Sequence, residues 1–226
     1  MEQIARDLPT RAGISTSYGH AWKKLWVYFL PLALVTLVVG LAESPNSVWQ
    51  ESDSDRSLYT LFLYLIATVY SLLLLPVLKY GAALVYVKAM RDEKPQLETF
   101  MKGFRENYFN IVLAHLIRTA LIILGLVFFI VPGIILACRL VFVPYLVMDK
   151  NLDPMAAIEK SWDLTRNQGW RVFGMALLAI PIFILGLLCF LVGAFIAVMW
   201  ISAAFASLYE ILNMQDLKKN DPYLVS

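Results

Sequence analysis

Long apolar runs alternate with short polar segments along this chain. The runs cover residues 25–42, 58–78, 111–130, 134–148, 170–187 and 193–212. A helix rises ~1.5 Å per residue, so runs of about 18 residues or more, nearly free of charge, can cross a hydrocarbon core of ~30 Å. The pattern predicts an all-α, polytopic membrane bundle of six transmembrane helices in three hairpins. It forms one integral membrane domain over residues 1–226.

The joins between runs carry their own signals. The second run stays apolar past Pro76 and Lys79 as far as Met90. A straight helix of that whole length would be ~50 Å, longer than the hydrocarbon core. A kink is therefore expected near Pro76 and Gly81, with 80–90 leaving through the interface. Val131-Pro132-Gly133 reads as a tight turn between the third and fourth runs. Residues 170–212 are too long for one crossing, which predicts two spans with a turn between Gly186 and Gly193.

Each hairpin is preceded by a similar leading segment. Ser17-Tyr18 comes before Trp26, Thr99-Phe100 before Tyr108, and Ser161-Trp162 before Trp170. Each time a hydroxyl residue and an aromatic are followed, seven residues on, by an aromatic at the start of a span. Apolar residues recur there at helical spacing, as in Leu97, Phe100, Met101, Phe104 and Tyr108, or Met155, Ile158 and Trp162. The expectation is a threefold internal repeat. In each copy a cytoplasmic, interfacial amphipathic helix turns into the membrane, with Trp26, Tyr108, Trp170, Phe100 and Trp162 as interfacial anchors. Asp153-Pro154 is placed to start the third of these helices.

Charge sets the orientation. Arg6, Arg11, Lys23 and Lys24 precede the first span, and Lys88, Arg91, Lys94, Lys102 and Arg105 lie between the second and third. Lys150, Lys160, Arg166 and Arg171 lie between the fourth and fifth, and Lys218 and Lys219 follow the last. The other side, with its 43–57 loop bearing Glu43, Glu51, Asp53 and Asp55, has Arg56 as its single base. Lys/Arg-rich segments stay in the cytoplasm, so both termini are expected there.

Composition sharpens this reading. The 226 residues are 60% hydrophobic and 16% charged, against about 45–50% and roughly 25% in soluble domains. A net charge of +2 argues against nucleic acid and leaves membrane lipids as the expected partner. A homo-oligomer or other membrane proteins stay open as further partners. Residues 1–24 lack the apolar core and small-residue site of a cleavable signal, so the first apolar run is expected to remain as an anchor. Cys138 and Cys189 fall in apolar runs and read as small buried hydrophobes.

Candidate chemistry is sparse. Arg118 and Arg139 are the charges deep within apolar runs, without an acid beside them. Arg118 lies ~12 Å into its span, within snorkelling reach of headgroups, and His115 shares its face. Arg139 lies near the middle of a short span, where arginine costs ~2.5–3.5 kcal/mol on insertion scales. Its charge must be met by the bundle interior, a water-filled cavity, a lipid phosphate or Glu43 at the outer end of the first span. Arg139, Arg118 and His115 are thus candidates for ligand or lipid binding, and Glu210 is a candidate partner for Lys79. No phosphate loop, HExxH, paired-cysteine motif or intramembrane carboxylate pair is present. The expectation is a non-enzymatic chain with no catalytic residues, metal site or cofactor.

Val131-Pro132-Gly133-Ile134-Ile135, Pro144, Asp149, Ala156-Ala157-Ile158, Ser161-Trp162 and Trp170-Arg171 resemble the YciC-like bacterial inner-membrane proteins. They also resemble the membrane domain fused to glycerophosphoryl diester phosphodiesterases. Pro76, Gly81, Tyr86, Arg91-Asp92-Glu93 and 100–104 resemble the matching segment of the first half, and Phe205 with Leu208-Tyr209-Glu210 resembles the last-span ending. The family often shows Arg-Gly-Glu, so Asp92 departs from it. The resemblance spans nearly the whole chain and implies a six-span plasma-membrane protein with no assigned reaction. The phosphodiesterase activity of the fused relatives belongs to a separate soluble barrel and does not carry over. The leading expectation is a structural or interaction module in envelope or lipid homeostasis. The alternative is a small transporter or channel for an anionic solute or lipid, using Arg139.

Overall fold

The computed structural model describes residues 12–48, 58–95, 97–105 and 107–220. Among these, every regular element is an α-helix: α1 (Ile14–Val27), α2 (Phe29–Val48), α3 (Leu58–Leu73), α4 (Leu75–Met90), α5 (Leu97–Arg105), α6 (Tyr108–Phe128), α7 (Ile130–Arg139), α8 (Val143–Lys150), α9 (Pro154–Thr165), α10 (Gly169–Leu188) and α11 (Phe190–Asn220). Five helical stretches are long and apolar enough to cross a bilayer: Leu61–Met90, Tyr108–Phe128, Ile130–Lys150, Gly169–Leu188 and Val192–Lys219. The pair α1 and α2, bent by 100°, makes a sixth if counted as one. Glu51, Asp53, Asp55 and Arg56 lie outside the described residues, as do Arg6 and Arg11.

Proline accounts for two of the breaks. Pro31 and Pro144 have no N–H to return to the carbonyl four residues back, so each opens the ladder where one helix ends and the next begins. At α7–α8 the gap leaves the Arg139 carbonyl without its helical donor. Ser161 Oγ donates to it at 2.7 Å and Thr165 Oγ1 at 3.3 Å, which fastens α9 across the break.

The joins differ in detail from those expected. Pro76 sits in the first turn of α4, and α3 and α4 together form one apolar stretch. Residues 80–90 continue this helix without a break. Tyr80, Leu84, Val85, Tyr86, Val87, Ala89 and Met90 are buried, so this segment is the central helix of the core. The turn before α7 lies at Phe129, whose backbone is extended, and Pro132 and Gly133 fall in the first turn of the helix. The α10–α11 turn lies at Cys189–Phe190, with Phe190 left-handed at φ 68°. Gly186 and Gly193 flank that turn inside helices and face each other. A Cβ on Gly193 would lie 2.4 Å from the Gly186 carbonyl oxygen. These glycines close a helix–helix contact rather than making the turn. Leu25 and Trp26 belong to α1, so the first apolar helix starts at Phe29. Cys138 is half-buried, and Cys189 is exposed at the turn rather than buried.

The two ends of the bundle differ in packing. One end is densely packed around α4, α8 and residues 199–213 of α11, where Tyr80, Phe142, Leu146, Met199 and Tyr209 have almost no exposed surface. At the other end apolar side chains face outward along α2, α3, α6, α7 and α10, with Phe129, Ile130 and Leu188 more than two-thirds exposed. Water would penalise so large an apolar surface at about 25 cal/mol per Å², whereas acyl chains would not.

The three short amphipathic helices flank the packed end. α1 is fixed to α10 and α11 by polar contacts. Tyr18 donates to the Met175 carbonyl at 3.0 Å, Trp200 Nε1 donates to the Tyr18 carbonyl at 3.0 Å, and His20 Nδ1 pairs with Ser207 Oγ at 3.0 Å. α5 lies on α4, with Phe100 buried over Gly81 and Lys88 donating to Thr99 at 3.2 Å. Asp153 is the N-cap of α9, with Pro154 in its first turn. Its buried face, Ala157, Ile158, Ser161 and Leu164, turns inward.

Candidate functional site

The polar groups of the packed end gather where the ends of two helices meet the side of a third. Arg91 follows α4, Asp149 lies in the last turn of α8, and Glu210 lies in α11. The Arg91 guanidinium donates through Nη1 to Asp149 Oδ1 at 2.5 Å, and through Nη2 to Asp149 Oδ2 and Glu210 Oε1 at 2.6 Å each. Tyr209 donates to Asp149 Oδ2 at 2.9 Å. The Tyr209 ring stacks on Tyr145 at 5.2 Å and tilts against Phe142 at 5.8 Å. Side-chain exposure is 18% for Arg91, 7% for Asp149 and 1% for Glu210. Burial works against the Arg91 charge, but the two carboxylates outweigh it and raise its pKa. A fork-shaped guanidinium suits this task, since it meets one carboxylate with two bonds and still reaches a second.

Beside this clamp, Asp92 takes a left-handed backbone at φ 61°. The Glu93 N–H then closes onto the Lys88 carbonyl at 3.0 Å, the hydrogen bond that ends many helices. The Asp92 carboxylate pairs with Lys24 and accepts from Tyr28 at 3.3 Å, which ties the α1–α2 bend to the end of α4. Lys160 pairs with Asp216 at 2.5 Å.

Away from the clamp the pairing differs from the sequence expectation. Lys79 pairs with Glu43 at 2.6 Å. Glu210 therefore does not serve Lys79, and Glu43 does not serve Arg139. The helix carries Lys79 on through the apolar stretch, which the expected kink would have released. Arg139 lies with its guanidinium 5.3 Å from the Trp162 ring centre, and its Nη1 is buried without a hydrogen-bond acceptor. Cation–π contact of this kind is worth about 0.5–2 kcal/mol. Arg118 is half-buried on α6, and its Nε is also without an acceptor. His115, one turn earlier, lies edge-on to Tyr80 at 6.3 Å. Trp26 and Trp170 are exposed, as interfacial anchors would be, whereas Tyr108 is half-buried and Phe100 faces the bundle.

No family model, curated protein or solved structure matches this chain. Among the described residues, no group of three or more His, Cys, Asp and Glu is placed to hold a metal ion.

The sequence reading missed Arg91 and Asp149 as partners of Glu210. It aligned the leading ends of the hairpins and not their trailing ends, where all three charges stand. Arg139→Leu should be nearly neutral. The contact with Trp162 is lost, but so is a guanidinium with an unpaired buried N–H, and apolar replacement of a buried charge is often harmless. The melting temperature in detergent should stay within about 3 °C of the parent, a shift of order 1 kcal/mol or less. A drop of about 10 °C would show that Arg139 holds the bundle together.

Proposed function

We propose that the chain is a six-span, non-enzymatic protein of the bacterial inner membrane, of the YciC-like type. It acts as a structural or interaction module in envelope or lipid homeostasis. The observation that carries this reading is the Arg91–Asp149–Glu210 clamp. The buried carboxylates of Asp149 and Glu210 are both bonded to Arg91, and the three charges join three helices, which is how charge is used to hold an assembly together.

Arg91 and Asp149 directly follow the apolar stretches that end at Met90 and Met148, and Glu210 lies near the end of the last one, which is in keeping with the threefold repeat. Asp92 supports the family resemblance for a physical reason. Its left-handed backbone is where glycine fits at least cost, and the family often has glycine there. The basic residues cluster at the clamp end, so that end is assigned to the cytoplasm along with both termini. The alternative, an anion transporter built on Arg139, is weakened by the packing of that side chain on Trp162.

Cysteine labelling tests the topology. In a background with Cys138 and Cys189 replaced by serine, Ser47→Cys should react with an impermeant maleimide in intact cells. Lys94→Cys should react only after lysis. Labelling of Lys94→Cys from outside would reverse the orientation, and labelling of both would refute the hairpin layout.

A further inference from the structure

We propose that Arg118, Tyr80 and His115 bind a phosphate-type oxyanion, supplied by a lipid headgroup or from solution, between α4 and α6. The proposal rests on the membrane reading above.

Tyr80 is 1% exposed, and its hydroxyl, which lies beside the Arg118 guanidinium, finds no acceptor for its own hydrogen. A hydroxyl buried in this way costs about 1–3 kcal/mol unless an acceptor meets that hydrogen. Arg118 lies within electrostatic reach of Tyr80, of His115 and of Tyr145 on α8, and its Nε is equally unsatisfied. Two donors from different helices therefore converge, and beyond their contact with each other neither the Tyr80 O–H nor Arg118 Nε has an acceptor. The His115 ring lies edge-to-face with Tyr80.

Charge selects the ligand. Among the described residues Arg118 forms no ion pair, and the nearby Glu43 is taken by Lys79. The neighbourhood thus holds one uncompensated positive charge, which Lys79 and Glu43 leave unchanged. A cation would be repelled, and a neutral solute would leave the guanidinium unneutralised. A singly charged oxyanion answers both, because its oxygens match the parallel N–H groups of a guanidinium and still accept from a hydroxyl. Arg118 and Arg139 stand about ten residues, ~15 Å, on either side of the α6–α7 turn. At that depth an arginine is expensive to keep unless a counter-charge reaches it. A phosphate diester in a lipid headgroup has the right charge, as does monobasic inorganic phosphate.

The test uses the full chain purified in neutral detergent. Native mass spectrometry and thermal melting are read with phosphatidylglycerol, with diacylglycerol, which lacks the phosphate, and, separately, with inorganic phosphate against chloride. Phosphatidylglycerol or phosphate should bind at one site and raise the melting temperature, and diacylglycerol and chloride should not. A response to phosphatidylglycerol alone identifies a headgroup, and a response to inorganic phosphate identifies a soluble anion. Arg118→Gln should weaken that binding about tenfold or more, the scale of a lost hydrogen bond to a charged group. Tyr80→Phe removes only the hydroxyl and should weaken it about threefold to tenfold. Arg166→Gln, which removes an exposed charge, should leave it unchanged. Equal response to anionic and neutral ligands, or parental binding by Arg118→Gln and Tyr80→Phe, overturns the site. A chain that leaves the cells without detergent refutes the membrane reading instead, so the two failures are distinguishable.

Discussion

Arg91→Met should destabilise the protein by about 3–5 kcal/mol, among the largest losses expected of any single substitution here. The reason is what it leaves behind. Asp149 and Glu210 have side chains 7% and 1% exposed, and without the guanidinium they face each other as buried, uncompensated carboxylates. Glu210→Gln should cost less, because the two-bond contact between Arg91 and Asp149 survives it and a neutral amide can still accept from Arg91. The decisive variant is the triple one. Adding Asp149→Asn and Glu210→Gln to Arg91→Met removes both stranded charges and should restore much of the lost stability. Thermal melting in detergent reads all of these. If Arg91→Met melts within about 2 °C of the parent, the three charges do not clamp the helices. If the triple variant is no better than the single one, the guanidinium acts through its bonds and not by neutralising charge.

The apolar stretches were legible because each is a local property of consecutive residues. The short helices before Tyr108 and Trp170 were legible for the same reason, since an amphipathic stripe repeats every three or four positions. The partners of the charges were not. Arg91 meets Asp149 and Glu210 across 58 and 119 residues of chain, and neither periodicity nor composition reports contacts at that range. Lys79 illustrates the consequence. Once a kink was expected at Pro76, Lys79 fell near the interface and its pairing with Glu43 had no place. Proline in the first turn of a helix costs little, because the N–H it lacks would have gone unused. The same residue that predicts a break is therefore compatible with the continuous stretch that is found. The glycines at 186 and 193 show the opposite confusion. Their small size is used for contact between α10 and α11, and the left-handed turn residue is Phe190.

Gly81→Ala is expected to be nearly as damaging as the loss of Arg91, although it adds one methyl group. A Cβ on Gly81 would lie 2.4 Å from the carbonyl oxygen of Phe100 and 3.3 Å from its ring. That oxygen is backbone, so no rotamer change relieves the clash, and α5 must move away from α4 as a body. Overpacking usually costs about 1–3 kcal/mol, and more where backbone is involved. The buried Phe100 ring and the bond from Lys88 to Thr99 would be lost with the displacement. Gly103, on α5 itself, supplies the comparison. A Cβ there would meet the methyl ends of Ile111 and Val77 at 3.0 and 3.2 Å. These side chains can yield by a few tenths of an ångström, so Gly103→Ala should be much milder. Tryptic cleavage after Lys102 and Arg105 measures the difference directly. It should speed up about tenfold or more in Gly81→Ala, as expected when ~1.4 kcal/mol or more of docking energy is lost. It should change little in Gly103→Ala. Equal protection in the two variants would mean that α5 is held by its flanking segments rather than by the contact at Gly81. The short amphipathic helices would then be anchored by the membrane alone and not by the bundle.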